Sequence, residues 1–349
     1  MTDLDAGALA AFLDAELGSG ELATEGRGAG YSNETLFVRW GDRELVVRRP
    51  PPDETAEGAH EVLREYRVLD ALSGTDVPVP RVVAACEDDS VLGAPFYLMG
   101  RLRGDVVRTG EPARFATPAR RETLATEFVD TLAAIHGVDY RAVGLGDLGD
   151  PAGYLERQVD TFREACEWAL ETTEEERAVP ELGTVGAWLA DHVPELSKPA
   201  LVHGDYKLDN VMFGPGDGPE VVGVFDWEMG TLGDPLADLA YALHCWPDPD
   251  ETEAERVVAD RFAPRFLAHE DYPTREAFVR RYEAESGVEF ENRRFYLALA
   301  AFKMAALGEM FYARYLRGGV EDLMYEAMGQ GVPAQAERAL EVIEGEWTI

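Results

Sequence analysis

The amino-acid sequence predicts an α+β chain in two lobes: a small N-terminal lobe over residues 1–100, built on an antiparallel β-sheet with one helix, and a larger, mostly helical C-terminal lobe over 101–349. Three observations predict it. A chain of 349 residues exceeds what a single hydrophobic core organises. Between residues 26 and 49 a Gly-rich loop leads into two β-rich runs joined at Gly41-Asp42, the pattern of a hairpin. Beyond residue 101 the apolar residues recur at helical spacing.

In chain order, Leu4, Leu9, Phe12, Leu13 and Leu17 mark a helix over 4–17 that stops at Gly18. The run Gly26-Arg27-Gly28-Ala29-Gly30-Tyr31-Ser32-Asn33 follows. Its glycines let a backbone approach phosphates, and Ser32 and Asn33 can add donors. A dinucleotide-binding loop would open a helix, whereas this one runs into Leu36, Phe37, Val38 and Trp40, so it reads as the tip of a hairpin. In the second strand, 44–49, alternation puts Val46 and Arg48 on one face and Leu45, Val47 and Arg49 on the other. Arg48 is placed to serve as a phosphate-contacting cation; its other reading is an exposed strand arginine. Pro50-Pro51-Pro52 ends the strand, and a helix over 59–72 carries the apolar stripe Val62, Tyr66, Leu69 and Leu72. Glu65 lies inside that stripe, where a carboxylate requires a partner. Arg48 is the candidate, with Arg64 or Arg67 as local alternatives. Strands over 81–85 and 95–99 lead to Met99 and a hinge at Gly100-Arg101.

Helical spacing then marks 119–137, 154–170 and 181–191, with the acidic run 174–176 solvated between the last two. His136, before Gly137, reads as a C-terminal helix residue satisfying carbonyls. Asp234 and Pro235 are an N-cap and a first helical position, and Asp238, one turn in, is placed to brace the loop above it. The stretch 251–345 reads as four helices, and the apolar segment Phe295 to Leu316, interrupted by Lys303, Glu309 and Arg314, as a buried helix rather than a membrane span.

The most informative strip is Leu201-Val202-His203-Gly204-Asp205-Tyr206-Lys207-Leu208-Asp209-Asn210-Val211-Met212-Phe213, with Val224-Phe225-Asp226-Trp227-Glu228 beyond it. Two apolar runs present Asp205, Asn210 and Asp226 at strand ends, an arrangement suited to Mg²⁺ and phosphate. In phosphoryl transfer one carboxylate accepts the proton of the attacking hydroxyl, while an amide oxygen and a second carboxylate hold the metal. The Asp-x-x-x-x-Asn spacing is that of a kinase catalytic loop. Singly, Asp209, Asn210 and Asp226 also read as ordinary turn and strand-end residues. Lys207, one of three lysines in the chain, follows the candidate base by two residues, where its cation would offset charge on a moving phosphoryl group.

Composition narrows the partners. With 67 acidic and 32 basic residues the formal net charge is −35 and acid is spread along the chain, so nucleic acid is not an expected partner. Such a surface suits a halophilic cytoplasm, where self-repulsion is screened over roughly 3 Å at 1 M salt. Cys86, Cys166 and Cys245 are scattered and odd in number, as buried thiols in a reducing compartment would be. No signal peptide is expected.

The ordered set Gly28-x-Gly30-x-Ser32-Asn33, Arg48, Glu65, His203 to Asn210 and Asp226-Trp227-Glu228 resembles the aminoglycoside phosphotransferase and choline kinase superfamily. Val77-Pro78-Val79-Pro80, Pro95 to Met99 and the stretch from Trp227 to Pro235 are most similar to the branch fused to acyl-CoA dehydrogenases. The resemblance implies a protein-kinase-like fold, ATP with Mg²⁺, and γ-phosphate transfer to a small-molecule hydroxyl. It implies Asp205 as base, Asn210 and Asp226 as metal ligands, Glu65 as anchor of the small-lobe cation, and adenine beside Met99. Arg48 departs from the usual lysine. A hydroxyacyl thioester or a metabolite alcohol are the acceptors it suggests; a nucleotide-binding regulator without transfer is the alternative. His203 reads as a structural residue beneath the loop.

Overall fold

The computed structural model of the protein describes residues 5–28, 33–50, 56–249, 262–318 and 323–349. The small lobe comprises strands β1 (Leu22–Arg27), β2 (Glu34–Trp40), β3 (Arg43–Arg49), β4 (Val82–Cys86) and β5 (Phe96–Gly100), with helices α1 (Ala6–Leu17), α2 (Ala56–Leu72) and the short α3 (Asp89–Leu92). The strands form one antiparallel sheet in the order β1-β2-β3-β5-β4. Gly28 N donates to Thr35 O at 2.7 Å, which extends the antiparallel β1–β2 pairing to the edge of the Gly-rich run. Gly30 and Ser32 of that loop lie outside the described residues.

The alternation along β3 divides the lobe into two cores. Leu45 and Val47 pack with Leu9 and Leu13 of α1 and with Phe96 and Leu98 of β5. Val46, on the opposite face, joins Val62, Leu69 and Leu72 of α2 in the main core, which continues into the large lobe. Register sets Val46 opposite Met99, and Arg48 opposite Tyr97 and Thr35. Arg48 thereby faces α2.

The large lobe contains α4 (Pro118–Gly137), α5 (Tyr154–Thr173), α6 (Pro180–Asp191), α7 (Pro235–His244), α8 (Arg275–Ser286), α9 (Arg293–Leu316) and α10 (Leu323–Glu344). Two small antiparallel ladders sit against them. β6 (Asp105–Val106), β8 (Val211–Phe213) and β9 (Val221–Val224) form one, and β7 (Ala200–Val202) with β10 (Thr231–Gly233) the other. The strip from His203 to Asn210 therefore bridges the end of β7 and the start of β8, while Asp226 follows β9. Three α-helices and a 3₁₀ turn at Arg265–Ala268 occupy the described part of 251–345, where four helices were expected; residues 250–261 lie outside it.

α9 is long and apolar enough to cross a bilayer, the one such helix among the described residues, but 78% of that window is buried inside the protein. Its Glu309 is fully buried and paired with Arg177 and Thr173. Cys86, Cys166 and Cys245 are buried free thiols. His136 does not satisfy helix carbonyls as expected. Its ring is buried between helices, with Nδ1 2.7 Å from the Tyr282 hydroxyl on α8 and Nε2 3.4 Å from Asp238 on α7.

Leu98 is fully buried at the centre of β5. Leu98→Ala should lower stability by about 2–5 kcal/mol in denaturant melts; a loss below about 0.5 kcal/mol would show that this face of the sheet is not tightly packed.

Candidate active site

A cleft of about 460 Å³ runs between the lobes. Val46, Met99, Leu102, Met212 and Phe225 line its apolar part, and Arg48, Glu65, Asn210 and Asp226 its polar end. An apolar slot beside convergent polar groups is the usual form of a small-molecule site. Gly28 lines the cleft, whereas Asn33 is buried at the start of β2 and is not part of the lining.

On the small-lobe side, Arg48 Nη2 lies 3.3 and 3.2 Å from Glu65 Oε1 and Oε2, and Nε 3.3 Å from Oε2. The same guanidinium donates from Nη1 to Thr35 Oγ1 at 2.9 Å and lies 3.6 Å from Asp226 Oδ1. The expected strand-to-helix pair is thus present, and it reaches across the cleft. Burial works against the Arg48 charge, but Glu65 and Asp226 hold its pKa above the ordinary value. The local alternatives are engaged elsewhere: Arg64 donates to Gly230 O at 2.8 Å, and Arg67 pairs with Asp147.

On the large-lobe side, both backbone donors at the turn before Asp205 are taken by Asp238. His203 N is 2.5 Å from its Oδ2 and Gly204 N 2.8 Å from its Oδ1. Gly204 has φ +82°, and a Cβ there would stand 2.8 Å from the Met229 side chain and 2.9 Å from its carbonyl oxygen. Glycine is required at this turn. His203 accepts from Asp205 N at 3.2 Å through Nδ1 and so donates from Nε2 to Phe225 O at 2.8 Å; burial depresses its pKa, which keeps it neutral. It is structural, as read.

Asp205 is densely partnered. Tyr241 donates to Oδ1 at 2.7 Å, Asn210 Nδ2 to Oδ2 at 2.9 Å, and Lys207 to the same oxygen. Burial raises its pKa, but Lys207 and then Lys303 outweigh this and hold the carboxyl below the ordinary range. It is an ionised acceptor. Lys207 also lies 3.4 Å from Asp209 Oδ1, so its cation is clamped between two carboxylates. Asn210 Nδ2 donates in addition to Asp205 O at 2.8 Å, which leaves Oδ1 as the atom it offers the cleft. Phe225 N donates to Asn210 O at 2.9 Å, tying together the two loops that carry Asn210 and Asp226.

Asp226 adopts the left-handed conformation, φ 66° and ψ 54°, which aspartate tolerates better than most residues. Burial, then repulsion from Glu228, raises its carboxyl from 3.8 to about 7, with Arg48 opposing. Arg48, Glu65, Met99, Asn210 and Asp226 line the cleft, whereas Asp205 and Lys207 stand outside its lining, joined to it through Asn210. Sequence reasoning missed Thr35, Tyr241 and Lys303. Lys303 was visible only as a break in an apolar run, and Thr35 and Tyr241 carried no signal.

The fold favours the neutral form of Asp226, so its charge costs stability as pH rises from about 3.8 through about 7. Asp226→Asn should melt close to the native protein near the lower limit and above it at pH 8; a mutant that melts lower at pH 8 would show that the Arg48 contact outweighs burial.

The profile of the phosphotransferase enzyme family matches residues 24–301. Acyl-CoA dehydrogenase family member 10 of Mus musculus is 35% identical over 311 residues, covering 89% of this chain but only 28% of its own length. The chain thus spans less than a third of that relative. A crystal structure from Ralstonia eutropha JMP134, provisionally designated an aminoglycoside phosphotransferase, superposes with a TM-score of 0.82 at 32% identity, covering 98% of this chain and 99% of that one. The GDP and kanamycin complex of APH(2")-IIIa shares the fold, with a TM-score of 0.62 at 17% identity and coverage of 97% and 98%. The two-lobed fold is protein-kinase-like, and the chain belongs to the phosphotransferase enzyme family.

Proposed function

We propose that the protein transfers the γ-phosphate of ATP, with Mg²⁺, to a hydroxyl of a small molecule. The observation that carries this reading is that Asn210 and Asp226 line one cleft opposite the Arg48–Glu65 pair, with Asp205 held directly behind the lining by Asn210 Nδ2 at 2.9 Å. Residues 1–100 would hold the nucleotide, and 101–349 would supply catalysis and bind the acceptor. The apolar slot at Val46, Met99 and Met212 suits a base, and Gly28 lets the hairpin backbone approach the phosphates.

The donor set fits Mg²⁺. Asn210 offers an amide oxygen and Asp226 a carboxylate whose raised pKa reflects charge in need of a cation. Mg²⁺ typically takes one or two protein carboxylates plus substrate phosphates, and among the described residues no cluster of three or more His, Cys, Asp or Glu offers a fuller cage. Bound there, the metal would neutralise charge on the β and γ phosphates. Asp205 orients the acceptor hydroxyl and takes its proton; a carboxylate below the ordinary pKa range is sufficient, because a loose transition state asks more for position than for strong base. Arg48 fixes a cation at the phosphate end, and Lys207 offsets charge beside Asp205.

The acyl-CoA dehydrogenase relative supports a hydroxyacyl thioester as acceptor, and a metabolite alcohol is the other class to screen. The dispersed acidity, net −35, supports a high-salt cytoplasm as the setting.

MgATP should raise the melting temperature in molar KCl by mass action. Asp226→Ala should remove the Mg²⁺-dependent part of that shift, and Asp205→Ala should abolish transfer while binding persists. Calorimetry and a hydroxyl-acceptor screen, with MgGTP alongside, check this. Binding without transfer to any acceptor would select the regulator; turnover surviving in Asp205→Ala would sink the base assignment.

A further inference from the structure

α9 carries one lysine beneath the catalytic loop. Lys303 is 7% exposed, and its ammonium donates to the Gly204 carbonyl oxygen. The charge stands 4.5 Å from the centre of the Tyr241 ring and 5.5 Å from that of Phe162. Its contacts are a peptide carbonyl and two aromatic faces. Beside it a cavity of about 10 Å³, bordered by Gln158, Asp238 and Tyr241, holds at most one water molecule. Burying an ammonium this way is costly, and a methionine would fill the same space without the charge.

The geometry connects that charge to the base by two routes. Gly204 is the residue before Asp205, and its N–H is already held by Asp238; Lys303 holds the carbonyl on the other side of the same residue. Tyr241, whose ring lies against the ammonium, donates its hydroxyl to Asp205 Oδ1 at 2.7 Å. We propose that Lys303 is a positioning residue for phosphoryl transfer: it fixes the peptide that carries Asp205 and sets a positive charge against the Tyr241 ring whose hydroxyl donates to that carboxylate. The inference rests on the phosphotransfer reading above.

The test compares the native chain with Lys303→Met, Lys303→Gln and Lys303→Arg, with Asp205→Ala as the blank. ATP consumption is measured with Mg²⁺ in molar KCl against hydroxylated acceptors and water, and kcat is separated from KM for ATP. Lys303→Met should lose about 100-fold in kcat, while KM for ATP and the MgATP-induced melting shift stay within about twofold. Lys303→Arg, which keeps charge and donors, should recover most of the rate, and Lys303→Gln less. If Lys303→Met does not fold, the ranking of Arg above Gln carries the test. A kcat within about threefold of native in Lys303→Met or Lys303→Gln overturns the proposal, as does a loss that Arg does not relieve and that the melting shift shares. Native turnover no greater than that of Asp205→Ala would instead refute the phosphotransfer reading, and the proposal with it.

Discussion

A buried carboxylate holds the candidate site in shape. Asp238 is 2% exposed and spends its oxygens on the backbone N–H groups of His203 and Gly204, with His136 at 3.4 Å on its far side. A charge so enclosed is tolerable because every side of it meets a donor. The turn it holds sets the direction of Asp205 and presses the His203 ring onto the Phe225 carbonyl next to Asp226. The loops that carry Asp205 and Asp226 are thus registered through one side chain on α7. The start of α7 is anchored in turn: Asp234, fully buried, accepts from Leu236 N, Ser197 N and the Tyr296 hydroxyl.

Much of this was legible in the residues because the signals were local. The β3 alternation separated Arg48 from Val47 by pleat geometry alone, and a carboxylate at Glu65 inside an apolar stripe called for a cation. Asp238 was read as a brace from its place one turn into a capped helix. Lys303 was not legible. Its partner Gly204 lies 99 residues away, and α9 is apolar nearly all round, so no amphipathic face marked which way the lysine points. His136 misled for a related reason. Its position beside Gly137 matches a helix cap, while its actual partners come from α7 and α8.

The electrostatics of the cleft run against those of the whole chain. A protein of net charge −35 places arginines 27, 48, 101 and 108 along one cleft. Arg48 is held on Glu65, and Arg101 on Glu25 at 2.8 Å. Screening at high salt weakens exposed charges far more than buried ones, so the enclosed Arg48 keeps its influence where surface acidity loses reach.

The scarcity of lysine has a practical side. Lys207 and Lys303 are 6% and 7% exposed and engaged with oxygens, whereas Lys198 is exposed in the segment before β7. Amine-directed reagents therefore meet a single accessible side-chain amine. With the α-amino group blocked, a fluorophore or surface tether introduced by ordinary acylation would sit at one defined point of the molecule, without a cysteine or lysine having to be engineered for it.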